Sequence, residues 1–342
     1  MPDRQIPRVH LKLICRRGRG AFAGEIPVAQ RDKPARIRHQ PGFDLRQQAP
    51  TTDFVIWGQR LPEKLQAADY KFGLSPCPRS QLQSPLSLRV STLIMIELAR
   101  REGAFGTIRI LEQTADKARI YMIGDTAQTM VNRDGVSLSG YVHAIELLVR
   151  GAETLLMIGG GGGGLATMLA RAGTSVTVVD VDPEAEDLAR RYFWLDPNVR
   201  WVTADAIRFV ETERQQFDAV VVDACDGFGI VKPFDDPETL AWLLDRTCPA
   251  GPLVVNLARN DDLPTHGKRR ARQLAGRGLS ATLYSAREGD EGNEVLHVRR
   301  TGRTRTLVVA DLDQRPPNAQ IFLTSLQAFT PRLAKPGFNR QV

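Results

Sequence analysis

No run of this sequence approaches the ~18 to 20 consecutive apolar residues that crossing a bilayer demands. The first ten residues hold charges and prolines where a secretory leader would hold an apolar core. A membrane partner is therefore not expected, and the cytoplasm is the default compartment. Cysteine is scarce: Cys15, Cys77, Cys225 and Cys248 lie far apart, with no C-x-x-C and no histidine at ligand spacing. Neither a disulfide framework nor a bound metal is expected from that pattern. Excess positive charge is also missing from most of the chain. Residues 1–50 carry eleven Lys and Arg against four Asp and Glu, which accounts for the whole formal charge of +7, and the remainder balances. A basic tail is a weaker nucleic-acid signal than a basic face on a folded domain, so nucleic acid is not the expected partner.

Periodicity is absent from the first quarter of the chain. Residues 1–88 are rich in Arg, Pro and Gln, and the apolar patches at 11–14 and 54–57 settle into neither a period of 2 nor one of 3.6. Such a segment buries too little apolar surface to offset its ordering entropy, which predicts a low-order basic extension over residues 1–90. Met95 opens a stretch that runs smoothly into the patterned part. It therefore raises a second possible translation start, which mass spectrometry of the native amino terminus decides; peptides from residues 20–80 would rule it out.

With 342 residues and 42% hydrophobic content, the chain can still fill a substantial core. Its organising stretch is residues 154–182. An apolar run (Leu155, Leu156, Met157, Ile158) meets six glycines (Gly159 through Gly164). Leu165, Met168 and Leu169 follow at helical spacing, and a second apolar run ends in Asp180. A flexible linker would not be framed in this way. A buried parallel strand, a turn whose backbone can approach a ligand, a helix and a second strand capped by a carboxylate make half of a nucleotide-binding crevice. Asp180 is placed to accept both hydroxyl hydrogens of a ribose.

Around that unit the pattern predicts three short strands at 107–111, 119–123 and 128–131, forming a small antiparallel domain over 91–138. A helix follows from an N-cap at Ser139 to Arg150, with His143 and Glu146 on a solvated face. Strands at 199–202, 218–222 and 253–257 alternate with helices at 183–192, 207–213, 237–247 and 268–277. A terminal hairpin is expected at 294–299 and 306–310, followed by a tail at 331–342. The fold class is thus α/β: a Rossmann-like, doubly wound sheet over 139–330, preceded by a small antiparallel β domain. In such a sheet ligands sit over the carboxyl ends of the strands. Asp180, Asp205 and the pair Asp223 and Asp226 fall after three successive strands. One such aspartate is ordinary turn chemistry; three together point to a site.

These motifs carry a family resemblance. Ile158 with its glycines, Asp180-Val181-Asp182, Arg191-Tyr192-Phe193, Asp196-Pro197-Asn198-Val199, Ala204-Asp205-Ala206, Asp223-Ala224-Cys225-Asp226-Gly227 and the strand Leu253-Val254-Val255-Asn256-Leu257 resemble the spermidine synthase family of aminopropyltransferases. The likeness is nearest to its spermidine-synthase-like branch and covers about residues 105–300. It implies a class I methyltransferase fold and a transferase that takes decarboxylated S-adenosylmethionine, or S-adenosylmethionine itself, as co-substrate without a metal. Gln128, Gly159, Gly161, Gly163, Asp180, Asp205 and Ala206 would hold the donor. Asp223 would be the catalytic carboxylate, and Asp226 would help hold a putrescine-like amine. By the same analogy the protein would be a homodimer.

Three positions depart from the family pattern. Gly162 stands where an aspartate usually discriminates between the two donors. Ala224 and Cys225 replace a pair of hydroxyl residues, with Cys225 read as packing in place of a nucleophile. No Pro-Thr-Tyr-Pro-like segment follows Leu257. The acidic residues Asp235 and Asp236, set against Lys232, fit a lid suited to a cationic acceptor and equally a solvated acidic loop. A methyltransferase and a non-catalytic adenosyl-binding dimer are the alternatives. The spacing Gly159-x-Gly161-x-x-Gly164 also fits a dinucleotide fingerprint, but Asp205, Asp223 and Asp226 have no role there.

Overall fold

The computed structural model describes residues 10–17, 20–27, 54–57, 90–92, 95–226, 229–258, 266–287, 292–301, 307, 309 and 311–331. The chain divides into two compact units, Met1–Ile96 with Gln113–Ala115, and Glu97–Glu112 with Asp116–Val342. In the first, strands β1 (His10–Arg17), β2 (Gly20–Pro27), β3 (Phe54–Trp57) and β4 (Val90–Thr92) form a sheet in the order β2-β1-β3-β4. β1 pairs antiparallel with β2 and β3, and β4 runs parallel to β3. These strands fall within the stretch expected to have little order; the rest of that stretch and residues 332–342 lie outside the described residues.

The chain continues with a four-stranded sheet, β5 (Met95–Gly103), β6 (Gly106–Gln113), β7 (Arg119–Ile123) and β8 (Thr126–Val131), paired in sequence order. β6 to β8 match expectation. β5 does not, because its segment is rich in the helix formers Glu, Leu, Ala and Arg, and pairing with β6 overrides that local preference.

The large sheet follows. Its elements are α1 (Gly140–Val149), β9 (Thr154–Ile158), α2 (Gly164–Arg171), β10 (Ser175–Asp180), α3 (Ala185–Tyr192), β11 (Arg200–Thr203), α4 (Ala206–Thr212), β12 (Ala219–Val222), α5 (Pro237–Leu244), β13 (Leu253–Ala258), α6 (His266–Gly276), β14 (Ser280–Ala286), β15 (Asn293–Arg299), α7 (Pro317–Thr324) and β16 (Leu326–Phe329). The strand order is β11-β10-β9-β12-β13-β15-β14-β16. β9 to β13 are parallel, β15 runs antiparallel between β13 and β14, and β16 closes one edge.

The parallel strands are apolar on both faces, as a sheet covered on both sides requires. Leu155, Met157, Val178 and Val221 pack in one layer with residues of α1 and α2, including Ile145 and Leu165. Leu156, Ile158, Val220 and Val222 face the other way, into a layer with Leu240 and Leu243 of α5 and Leu274 of α6. A third cluster joins Ile108, Ile110, Tyr121 and Val131 of the small sheet to Leu188 and Phe193.

Two expectations are corrected here. The strand expected at 294–299 is β15, but it pairs with β14 on one side and β13 on the other and is internal to the sheet, while its expected hairpin partner at 306–310 lies largely outside the described residues. The face of α1 carrying His143 and Glu146 is not solvated: His143 is 2% exposed, because Arg315 and α7 cover it. Arg315 donates to His143 Nδ1 at 2.9 Å and to Glu146 Oε2 at 2.7 Å, while His143 Nε2 lies 2.8 Å from the Ser137 carbonyl. An imidazole donating through Nε2 and accepting at Nδ1 is neutral, in keeping with the downward pKa shift that burial imposes on it.

Candidate functional site

The sheet registers place the site. Val179 pairs with Ile158, Ile158 with Val222, and Val222 with Val255, so these four residues form one row across the parallel strands. The residue after each emerges at the carboxyl edge: Asp180, Gly159, Asp223 and Asn256. The strand order reverses between β9 and β12, the point where doubly wound sheets open a crevice. A cavity of about 640 Å³ lies over this edge, within the ~300 to 1,000 Å³ typical of small-ligand sites.

Asp180, Asp205 and Asp223 all line this cavity, together with Gln128, Gly159, Gly161 and Ala206. Gly163 and Asp226 do not. Gly163 instead caps α2 at φ 73°, and a Cβ there would meet Leu195 at 2.6 Å. Its glycine is required by backbone conformation and packing.

The glycine run is more tightly enclosed than its sequence implies. A Cβ at Gly159 would lie 2.5 Å from the Asp223 carbonyl, one at Gly160 2.2 Å from Trp201, and one at Gly162 2.9 Å from Phe193. The space freed by these missing side chains is filled by the protein itself. What remains for a ligand is the exposed edge of the backbone and the carboxylates above it.

Asp180 organises that edge. Its Oδ2 accepts from the Gly160 and Gly161 amides at 2.7 and 3.3 Å, and its Oδ1 from the Asp182 amide at 2.9 Å. An ionised carboxylate has about four acceptor directions, so with three amides bound Asp180 keeps one for a ribose hydroxyl while holding the loop in place. Asp205 caps α4 by accepting from the Arg208 amide at 3.0 Å, which leaves its second oxygen for a ligand donor. Asp182, buried at 4% exposure, accepts from the Ala104 amide at 2.8 Å and ties the β5–β6 turn to the end of β10.

Asp223 differs from the other carboxylates. It is half-buried, its Oδ1 accepts from Asn256 Nδ2 at 2.7 Å, and the Tyr141 hydroxyl also bonds to it. Burial pushes its pKa up to about 6, against the lowering effect of those two hydrogen bonds. It is therefore mostly ionised at neutral pH yet close enough to neutrality to take and return a proton. Cys225, beside it, is no nucleophile. Burial foremost, then the charges of Asp223 and Asp226, push its thiol pKa well above the usual range.

The acidic-lid expectation is corrected. Asp235 is engaged by His266 at 2.6 Å and Arg270 at 2.8 Å, and Asp236 caps α5 by accepting from the Glu238 and Thr239 amides, each at 2.9 Å. Both carboxylates serve the fold. The charged group that this segment does bring to the cavity is Lys232.

Asn256 and Tyr141 were not singled out by sequence. Asn256 carried a legible signal: a polar residue inside the apolar strand LVVNLA must find a partner when buried. Tyr141, at the first turn of α1, carried none until the helix was placed against the sheet edge.

Residues 155–251 match the family model for a methyltransferase domain. A polyamine aminopropyltransferase from Sulfurisphaera tokodaii is 27% identical over 126 residues, 34% of this chain and 42% of that protein. Polyamine aminopropyltransferase 1 from Streptomyces coelicolor is 38% identical over 85 residues, 22% of this chain and 16% of that one. The matched region thus spans under half the length of these curated relatives. Among solved structures, a probable spermidine synthase from Corynebacterium glutamicum superposes with a TM-score of 0.55 at 17% identity, covering 68% of this chain and 90% of that one. At that identity the likeness speaks for the fold, a Rossmann-like sheet of the methyltransferase type. The chain carries a methyltransferase-type domain, and its relatives in sequence are polyamine aminopropyltransferases.

Proposed function

We propose that the protein is an aminopropyltransferase-like enzyme that binds an adenosyl sulfonium donor and alkylates an amine. The observation that carries this reading is the placement of Asp223: a carboxylate with a pKa near 6, in the same cavity as Asp180 and Asp205, held by Asn256 and Tyr141. A sulfonium makes its neighbouring carbon electrophilic, and only an amine with a free lone pair can attack it. Asp180 and the Gly160 and Gly161 amides form the floor under the ribose, and Asp205 faces the base. Asp223 accepts the proton that the amine loses as the new C–N bond forms. The C–S electron pair returns to sulfur, and a thioether such as methylthioadenosine leaves. General-base assistance of this kind contributes about 10² to 10⁴ in rate.

A second reading, a methyltransferase using S-adenosylmethionine, is favoured by one feature. Gly162 is packed against Phe193 and Thr129, and the Thr129 hydroxyl accepts from its amide at 3.0 Å. No carboxylate stands at that point of the loop to repel a donor that bears its own.

Calorimetry with S-adenosylmethionine and its decarboxylated form, followed by turnover with putrescine, separates the readings. Release of methylthioadenosine supports aminopropyl transfer. A methylated product supports the second reading, and binding of a donor without any turnover overturns both.

A further inference from the structure

Five carboxylates line the cavity, those of Asp125, Asp180, Asp182, Asp205 and Asp223, against one cation, Lys232. Each of the five has a partner within the protein: Asp125 lies 3.4 Å from Arg109, and the other four accept the hydrogen bonds described above. Lys232 forms neither an ion pair nor a hydrogen bond among the described residues. An unpaired lysine on open surface is simply solvated. At a cavity whose other charges are already engaged, it is a charge left for the ligand.

The chain holds Lys232 there from both sides. On one side the Val231 amide donates to the Ala224 carbonyl at 2.9 Å, and Ile230 forms an antiparallel bridge with Cys225. The segment therefore folds back along the residues that directly follow Asp223. On the other side the Phe234 amide donates to the Val231 carbonyl at 3.0 Å, and Phe234 is buried in the layer with Leu240 and Leu243. The two acids that could offset the lysine are engaged elsewhere, Asp235 by His266 and Arg270, and Asp236 by the first amides of α5. A segment with two acids and one lysine in sequence thus delivers only the lysine to the cavity.

We propose that Lys232 is a specificity-determining residue that pairs with a substrate carboxylate, so that the site takes a carboxylate-bearing molecule in preference to its all-cationic counterpart. The proposal rests on the adenosyl reading of the site and narrows its substrate class. A substrate with only ammonium groups meets like charge at Lys232, whereas one with a carboxylate meets its complement. The glycine run agrees with this: Gly162, packed against Phe193 and Thr129, contributes no acid that would repel such a group. Two substrates can supply the carboxylate, S-adenosylmethionine as donor or an amino acid as acceptor.

Calorimetry with two matched pairs tests the proposal and separates these sources. S-adenosylmethionine is compared with its decarboxylated form on the free protein, and ornithine with putrescine on protein saturated with methylthioadenosine. In at least one pair the wild type should bind the carboxylate-bearing member more tightly. Lys232→Gln should weaken that member about tenfold, a loss in keeping with one charged hydrogen bond, without weakening the other member. Lys232→Arg keeps the charge and should recover most of the affinity. The pair that responds identifies whether donor or acceptor carries the carboxylate. Because Lys232 is exposed, the thermal midpoint of both variants should match that of the wild type. Carboxylate-bearing members bound by Lys232→Gln as by wild type overturn the proposal alone. Equal weakening of both members of a responding pair also overturns it, as does a wild type that prefers the carboxylate in neither pair. Wild-type protein that binds neither donor nor methylthioadenosine overturns the adenosyl reading, and the role of Lys232 with it.

Discussion

Asn256 Nδ2 lies 2.7 Å from Asp223 Oδ1, and the two residues stand side by side because the parallel register aligns Val222 with Val255 just before them. The bond commits one oxygen of Asp223 to the protein. In the proposed reaction the other is the proton acceptor. Asp223→Asn preserves shape and the hydrogen bond to Asn256 while removing the basic oxygen. Turnover should fall by about 10² to 10⁴, and methylthioadenosine should bind with nearly wild-type affinity. Turnover within tenfold of wild type would count against Asp223 as base.

Asn256 also sets where Asp223 titrates. Burial raises the carboxyl to about 6, and the bonds from Asn256 and Tyr141 pull in the opposite direction. A base must be ionised, so kcat/KM should fall as pH drops through that value. Removing either donor weakens the stabilisation of the carboxylate, and the acid limb should move to higher pH in Asn256→Ala and in Tyr141→Phe. A profile of kcat/KM against pH reads this directly. A variant with lowered activity but an unmoved limb would show that the side chain only supports packing.

Gly162 offers a test of the donor question that does not depend on turnover. A Cβ at this position would meet Phe193 at 2.9 Å and the Thr129 Cβ at 3.1 Å. Gly162→Asp should therefore fail to create a binding site for a donor ammonium and should destabilise the protein, by about 1 to 3 kcal/mol as overpacking usually does. Chemical denaturation and calorimetry with decarboxylated S-adenosylmethionine check both parts. A stable variant that binds this donor more tightly than wild type would show that the loop has room for the charge.

Arg315 is 8% exposed and holds Glu146, His143 and Asp311 around the start and middle of α1. Arg315→Met keeps much of the volume but leaves Glu146 ionised without its buried partner. Breaking such a pair costs about 3 to 5 kcal/mol, and Arg150, also bonded to Glu146 at 2.9 Å, offsets part of that. Urea unfolding should register a loss of more than 1 kcal/mol; a neutral result would mean that Glu146 is sufficiently held by Arg150 alone.

What the sequence made legible was the part in which local pattern and tertiary demand agree. The runs Leu155-Leu156-Met157-Ile158 and Ala219-Val220-Val221-Val222 are buried on both faces, so their apolar continuity marks them as parallel strands. Asp180, Asp205 and Asp223 could be placed because each follows such a run. Elements determined by distant partners were not legible. β5 has a helix-forming composition; the strand at 294–299 was legible, but not its place between two strands that come before it in the chain; and His143 is buried by an arginine 172 residues away. The acidic pair Asp235 and Asp236 looked available because its partners, His266 and Arg270 for the one and the amides of α5 for the other, are invisible until the chain is folded.

His297 and Asp223 give stability a pH dependence of opposite sign in overlapping windows. Burial, aided by Arg299, depresses His297 from 6.5 to about 4, so between those values the unfolded chain binds the proton that the folded one refuses. Stability from this group is complete above pH 6.5 and is lost as pH falls towards 4. Asp223 runs the other way. Its folded value of about 6 exceeds the unfolded 3.8, so the folded state holds the extra proton, and stability is lost as pH rises from about 4 to 6. At ~1.4 kcal/mol per unit, each effect is on the order of 3 kcal/mol, and the two oppose each other in the wild type, with His143, also shifted downward by burial, acting on the side of His297. The acidic groups Asp218, Asp236 and Asp311, all shifted downward from 3.8, act below this window. Asp223→Asn should therefore be more stable than wild type at pH 7 and should expose a steep loss of stability from pH 6.5 to 4. His297→Leu should show the reverse slope over the same range. Chemical denaturation at half-unit pH steps resolves the three curves, and parallel curves would show that neither group titrates where its burial places it.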